Sequence, residues 1–304
     1  MKLQIIKNRK YPYLLSGILV LASVLSLIAW GLKPGLDFTG GSLLEVSFSQ
    51  ERPDVAGVNS ALSSLNFGDL VVQPSGDKNI IIKSRAISEE EHQAAVNSLK
   101  KAAGEKNELS EIRFDSIGPV IGKELLQKSI WMLIIASLAI IAYIAYAFRK
   151  VSRPLASWKY GTAAVIALLH DVLIITGIFS ALGHFRGIEV DSLFITALLT
   201  IIGFSVHDTI VVFDRTRENL SKFYSGKFDE VVNDSVNQTL ARSINTSLTT
   251  LLVLLALLFF GGSSIKNFTL ALSLGIIVGT YSSIFIASPL IVDWNNFSKK
   301  GFKK

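Results

Sequence analysis

Six long apolar runs constrain this chain more than any other feature. They lie at about 11–32, 129–148, 160–182, 191–213, 239–260 and 267–291. Each is close to the ~20 residues a helix needs to cross ~30 Å of hydrocarbon. Backbone groups in lipid must be satisfied within the segment, so such runs fold as membrane-spanning helices. Half of the residues are hydrophobic and only 18% are charged, and the charges gather between the runs. That distribution excludes an ordinary soluble enzyme.

The net charge of +6 reads as a topology signal rather than a nucleic-acid footprint. Lys2, Lys7, Arg9 and Lys10 lie in the segment 1–10 before the first run. Arg149, Lys150, Arg153 and Lys159 fill the link between the second and third. Arg215, Arg217, Lys222 and Lys227 lie in the connection 214–238, and Lys299, Lys300, Lys303 and Lys304 in the tail 292–304. The short links on the other side hold only Arg186 and Lys266. Both termini are therefore expected in the cytoplasm. The first run is too long for a signal-peptide h-region and no small-residue cleavage site follows it, so it reads as a retained anchor. There is no cysteine, which excludes disulfides and thiolate metal sites.

Residues 33–128 differ in composition and should form an extracytoplasmic domain. SLLEVSFS (42–49) alternates as a strand does, and PDVAGVNSALSSL (53–65) has a proline near a helix start. LVVQP and NIIIKSRA are short strand-like runs split by the turn-rich SGDK. Ser88 and Glu91 have capping-box spacing for a helix to about Ala103, and ELSEIRFDSIG (108–118) alternates again. The order β-α-β-β-α-β is that of a ferredoxin-like α+β fold. Glu89, Glu90 and Glu91 read as a solvated first helical turn, favoured by the helix dipole, rather than a cation site. At the membrane edge, GLDFTGGS (35–42) offers Gly40 and Gly41 for a tight turn or close backbone approach, with Asp37 placed to cap a turn.

Polar residues inside the apolar runs are the candidates for function. Asp208 falls about five residues from the end of the fourth run, and Arg242 lies near the start of the fifth. They are equally distant in sequence from Ser225, so similar depths, and a forked ion pair, are expected if both face the bundle interior. Burial penalises an ionised carboxylate, while a neighbouring guanidinium favours it. Near balance, small movements decide whether Asp208 holds a proton; the plainer reading is a fixed ion pair that only holds helices together. His170 and Asp171 sit near the middle of the third run, and LLHDVLII echoes SVHDTIVV around His207 and Asp208. His170, Asp171 and His207 are candidate relay residues. Two histidines with two carboxylates can make a four-ligand metal site, but adjacent helical residues point about 100° apart and H-E-x-x-H is absent. Ser243, Thr246, Ser247, Thr249 and Thr250 suit close helix packing, as do Gly275 and Gly279. No Walker A motif and no covalent catalytic constellation is present, so an enzyme is not expected.

GLDFTGGS, GFSVHDTIVVFDRTREN, LARSINTSLTT and LFFGGSSIKNFTLALSLGIIVGTYSSIFIASPL together resemble the SecF branch of the SecD/SecF protein-export family, in order and across nearly the whole chain. That family lies in the resistance-nodulation-division (RND) superfamily. The resemblance implies half of a twelve-span bundle completed by SecD, beside the SecYEG translocon. It implies use of the proton-motive force, with protons as coupling ion and no other cofactor, to draw unfolded exported polypeptides outward late in translocation. It implies that Asp208 is the proton-responsive carboxylate, Arg242 its basic partner, and 38–125 the smaller extracytoplasmic domain. His207 stands where the family pattern has asparagine, so it either replaces an amide hydrogen bond or joins the proton path. The competing readings are a proton-coupled RND-type transporter of small or lipid molecules and a non-energised scaffold.

Overall fold

The computed structural model describes residues 2–104, 107–147, 156–222 and 227–301. Arg149, Lys150, Arg153, Ser225, Lys303 and Lys304 lie outside the described residues, as do the side chains of Lys222, Lys299 and Lys300. Two compact units emerge, Met1–Lys33 with Trp131–Lys304, and Pro34–Ile130.

The smaller unit is an α+β fold. A four-residue helix, α2 (Leu36–Thr39), leads into β1 (Gly41–Phe48); then come α3 (Val55–Leu62), β2 (Val71–Ser75), β3 (Asn79–Ser84), α4 (Glu89–Ala103) and β4 (Leu109–Ile117). The sheet order is β2-β3-β1-β4, antiparallel throughout, which is the ferredoxin-like arrangement. Alternation along β1 sends Leu44, Val46 and Phe48 into the core, against Ile80 and Ile82 of β3 and Val58, Leu62, Val96 and Leu99 of the helices. Asp54 caps α3 by accepting from Gly57 N, and Ser88 and Glu91 form a reciprocal capping box on α4. Glu91 also pairs with Arg85, and Glu89 bonds His92 and Gln93. Arg85 holds the Glu91 carboxyl below the usual carboxylate range, with the Ser88 backbone adding to the effect.

The two glycines at the start of β1 have a steric explanation. Gly40 has φ +75° and ψ 166°, a conformation essentially reserved for glycine. A Cβ there would lie 2.7 Å from Pro119 Cα, and one on Gly41 would lie 2.7 Å from Ser84 O. Asp37 is the second residue of α2, whose N-cap is Gly35.

The larger unit is helical. Its elements are α1 (Lys10–Trp30), the later part of α5 (Pro119–Ala147), α6 (Ser157–Arg186), α7 (Ser192–Lys222), α8 (Phe228–Phe260), α9 (Ser263–Ser282) and α10 (Ser288–Gly301). Among the described residues six helices are long and apolar enough to cross a membrane; α9 and α10 are one span joined by a π-helical turn, Ser283–Ala287. The 21 residues of α1 rise about 31 Å, the thickness of the hydrocarbon layer. Pro289 explains the wide turn: it has no N–H, and its ring clashes with the carbonyl four residues back. Ser288 Oγ donates to Ser283 O at 2.8 Å across the widened backbone.

Small residues set the helix spacing. A Cβ on Gly177 of α6 would lie 2.2 Å from Ser23 Cβ and 2.5 Å from its Cα, so α1 and α6 meet backbone to backbone. Ser26 Oγ donates to Gly177 O at 3.0 Å, and Ser180 Oγ returns a bond to Ser26 O at 2.9 Å. Gly279 likewise admits Ser205 of α7 at close range. Most of the connection 214–238 is helical. The ends of α7 and α8 continue as polar helices joined by Asn219 to Ser235 (2.9 Å) and Gln238 (3.1 Å). The N-terminal segment lies against the same end, with Lys2 on Asp234 at 3.0 Å and Arg9 on Asp293 at 2.7 Å.

Candidate functional site

Asp208 faces the bundle interior and is only 3% exposed. Thr280 Oγ1 points to Asp208 Oδ2 at 3.5 Å, a long contact. Ser247 Oγ lies 2.5 Å from Thr280 Oγ1. When Thr280 gives its single proton to Asp208, its oxygen can only accept from Ser247, whose own single proton is otherwise given to Ser243 O at 2.8 Å within α8. Ser243 also faces Asp208; its hydroxyl is buried and has no hydrogen-bond partner among the described residues.

The expected forked pair with Arg242 is not formed. Arg242 is exposed on α8 and makes no ion pair among the described residues, although it stays within electrostatic range of Asp208. The condition that fails is the facing of Arg242 toward the bundle interior. The inward stripe of α8 is Val236, Thr239, Ser243, Ser247 and Leu254, and Arg242 stands one residue off it. One residue is about 100° of rotation, which turns the guanidinium out of the interior. Asn245, Thr246 and Thr249 share that exposed side with it. His207 is exposed for the same reason, one residue from Asp208.

The echo in the third span differs. His170 and Asp171 are both buried, at 8% and 1% exposure. Asp171 Oδ1 lies 2.9 Å from His170 Nδ1, while Oδ2 accepts from Ser205 Oγ of α7 at 2.5 Å and Ser282 Oγ of the last span at 2.7 Å. Sequence reasoning missed Ser205 and Ser282. Their signal was slight: Ser205 is a small hydroxyl three residues before Asp208, and Ser282 lies in the hydroxyl-rich stretch GTYSS (279–283). Among the described residues no group of three or more histidine or acidic side chains is arranged to hold a metal ion.

Two family models match this chain. One, described as protein export membrane protein SecD/SecF, C-terminal, covers residues 96–297; the other, the SecD/SecF GG motif, covers 26–51, with Gly40 and Gly41. Protein translocase subunit SecF of Thermobaculum terrenum is 46% identical, over 97% of this chain and 94% of its own. The subunit of the same name from Synechocystis is 41% identical, over 98% and 96%. The crystal structure of SecDF, a translocon-associated membrane protein from Thermus thermophilus, superposes with a TM-score of 0.80 at 32% identity. That match covers 97% of this chain but only 39% of the SecDF chain, so this chain spans well under half of the solved protein. The fold, the two glycines and the buried carboxylates thus sit in a chain similar to SecF along nearly its whole length, and this multi-pass membrane protein belongs to the SecD/SecF family.

Proposed function

We propose that this chain is the SecF subunit of a protein translocase. Paired with SecD beside SecYEG, it uses the proton-motive force to promote late translocation of unfolded exported polypeptides. The observation that carries this reading is Asp208: a carboxylate buried in a membrane span, faced by the hydroxyls of Thr280 and Ser243, and without a cation paired to it among the described residues. An intramembrane carboxylate of this kind is costly to keep unless it works. Uptake of a proton from one side and release to the other changes the charge at the contact of α7, α8 and α9, and so biases the packing of those helices.

Arg242 supplies the second part. A guanidinium at membrane depth, with Asn245, Thr246 and Thr249 beside it, needs cover by protein rather than lipid. The SecD half of the bundle is that cover, which leaves Arg242 acting across the subunit contact as the permanent cation near Asp208. Both termini are cytoplasmic, and the α+β domain works outside the membrane with its SecD counterpart. One charge crossing ~100 mV releases ~2.3 kcal/mol. That biases a two-state bundle by tens-fold, enough for repeated small steps of holding and releasing an unfolded chain.

The test is export into vesicles carrying SecYEG and the SecD–SecF complex, with and without a proton gradient. Stimulation by the gradient should vanish in Asp208→Asn and persist in His207→Asn. Stimulation that survives Asp208→Asn sinks the reading.

A further inference from the structure

The third span carries a buried carboxylate that the proposed proton step does not use. We infer that Asp171 is a positioning residue for Asp208: by gripping Ser205 and Ser282 it holds α7 and the last span in the register at which Thr280 reaches Asp208. The inference rests on Asp208 as the working carboxylate only for its functional meaning; its geometry stands by itself.

Three relations carry it. Ser205 and Asp208 are three residues apart on α7, one helical turn, so the residue Asp171 holds is the neighbour of the residue to be positioned. Thr280 and Ser282 are two residues apart on the last span, so the strand of backbone that serves Asp208 also serves Asp171. Ser283 then locks the two helices together, donating to Ser205 O at 3.1 Å and lying 2.8 Å from Thr209 Oγ1.

The chemistry suits a clamp. Two hydroxyls donate to one oxygen of Asp171, and the other oxygen faces His170 Nδ1. A carboxylate accepting from two hydroxyls at 1% exposure is a directional anchor: Ser205 would lose its acceptor if the carboxylate moved, and Ser282 would fall back on Gly279 O at 3.1 Å within its own helix. Directly after Ser282 the helix becomes π-helical, over Ser283–Ala287. A π turn is a local irregularity within an α-helix, so an anchor at Ser282 fixes the register of the residues just before it. Asp171 supplies that anchor, one span away from the group it orients.

The experiment uses the complex with SecD in lipid, with ¹³C-labelled aspartate and infrared detection. Subtracting Asp208→Asn assigns the stretching bands of Asp208 in whichever protonation form it holds. Asp171→Asn, Ser205→Ala and Ser282→Ala should each displace the Asp208 band, because its hydrogen bond from Thr280 is lost or re-aimed. If Asp171→Asn does not accumulate, the two serine variants decide. An Asp208 band at its wild-type position in those variants, with only a lowered thermal midpoint, overturns the inference and leaves Asp171 as a packing group. Export that keeps its proton dependence in Asp208→Asn would instead remove the proposed function, while a displaced band would still establish the positioning.

Discussion

Thr280 and Ser282 stand two residues apart on the last span and reach different carboxylates: Thr280 points to Asp208 of α7 at 3.5 Å, and Ser282 donates to Asp171 of α6 at 2.7 Å. A short piece of one helix thus touches both buried acids, from spans three and four.

Close packing of α1 on α6 depends on the missing side chain of Gly177. Gly177→Ala would place a methyl 2.2 Å from Ser23 Cβ, where backbone rather than a flexible tip is the neighbour. Overpacking of this kind costs about 1–3 kcal/mol. The thermal midpoint in detergent should fall, and limited proteolysis should begin at the loosened first span. An unchanged midpoint contradicts the packing.

Gly40→Ala imposes both strain and a clash, from φ +75° and the approach of Pro119. Strain in that region alone is of order 1–3 kcal/mol. Hydrogen exchange in the full chain should show lost protection along β1, with the transmembrane helices unaffected. Wild-type protection would show that the turn has an alternative conformation.

Acid should loosen the first turn of α4. Arg85 holds the Glu91 carboxyl below its ordinary range, so the bond stabilises the folded form above the unfolded value of about 4.3 and is lost as pH falls through the folded value. Amide protection near Ser88–Glu91, corrected for intrinsic exchange, should therefore drop on acidification below about pH 4.3. Glu91→Gln should begin with lower protection and show a flatter profile. Because the pair is exposed, the effect is local.

Arg242 gives a prediction that separates folding from assembly. Its side chain is exposed on α8, so Arg242→Gln should shift the stability of the isolated chain by no more than about 0.5 kcal/mol. Proton-dependent export by the complex should nevertheless be lost, and Arg242→Lys should restore only part of it, since an ammonium lacks the guanidinium fork. Equal loss of chain stability and export would place Arg242 in this chain's own core, against the geometry.

Much of this was legible in the sequence. Apolar runs of spanning length give the helices, because lipid leaves the backbone no other solution. Alternation in SLLEVSFS and the Ser88–Glu91 spacing give a strand and a helix start in the small domain. Asp208 is readable as functional because a charge in an apolar run demands a reason. Rotation was not legible: sequence depth placed Arg242 level with Asp208, but only the packing of Ser243 and Ser247 decides which way α8 turns. The clamp on Asp171 was equally hidden. Its donors come from two other spans, and nothing local joins position 171 to positions 205 and 282. The π turn had a local cause, Pro289, but a proline in a span marks a disturbance without saying which kind.

The most direct measurement is the protonation state of Asp208 in the SecD–SecF complex, followed by infrared difference spectroscopy between about pH 5 and pH 9 with and without an imposed proton gradient. Asp208 is expected to change protonation within that range and to respond to the gradient. A side chain fixed in one state throughout, while the complex still drives export, would contradict a proton-driven role for this carboxylate.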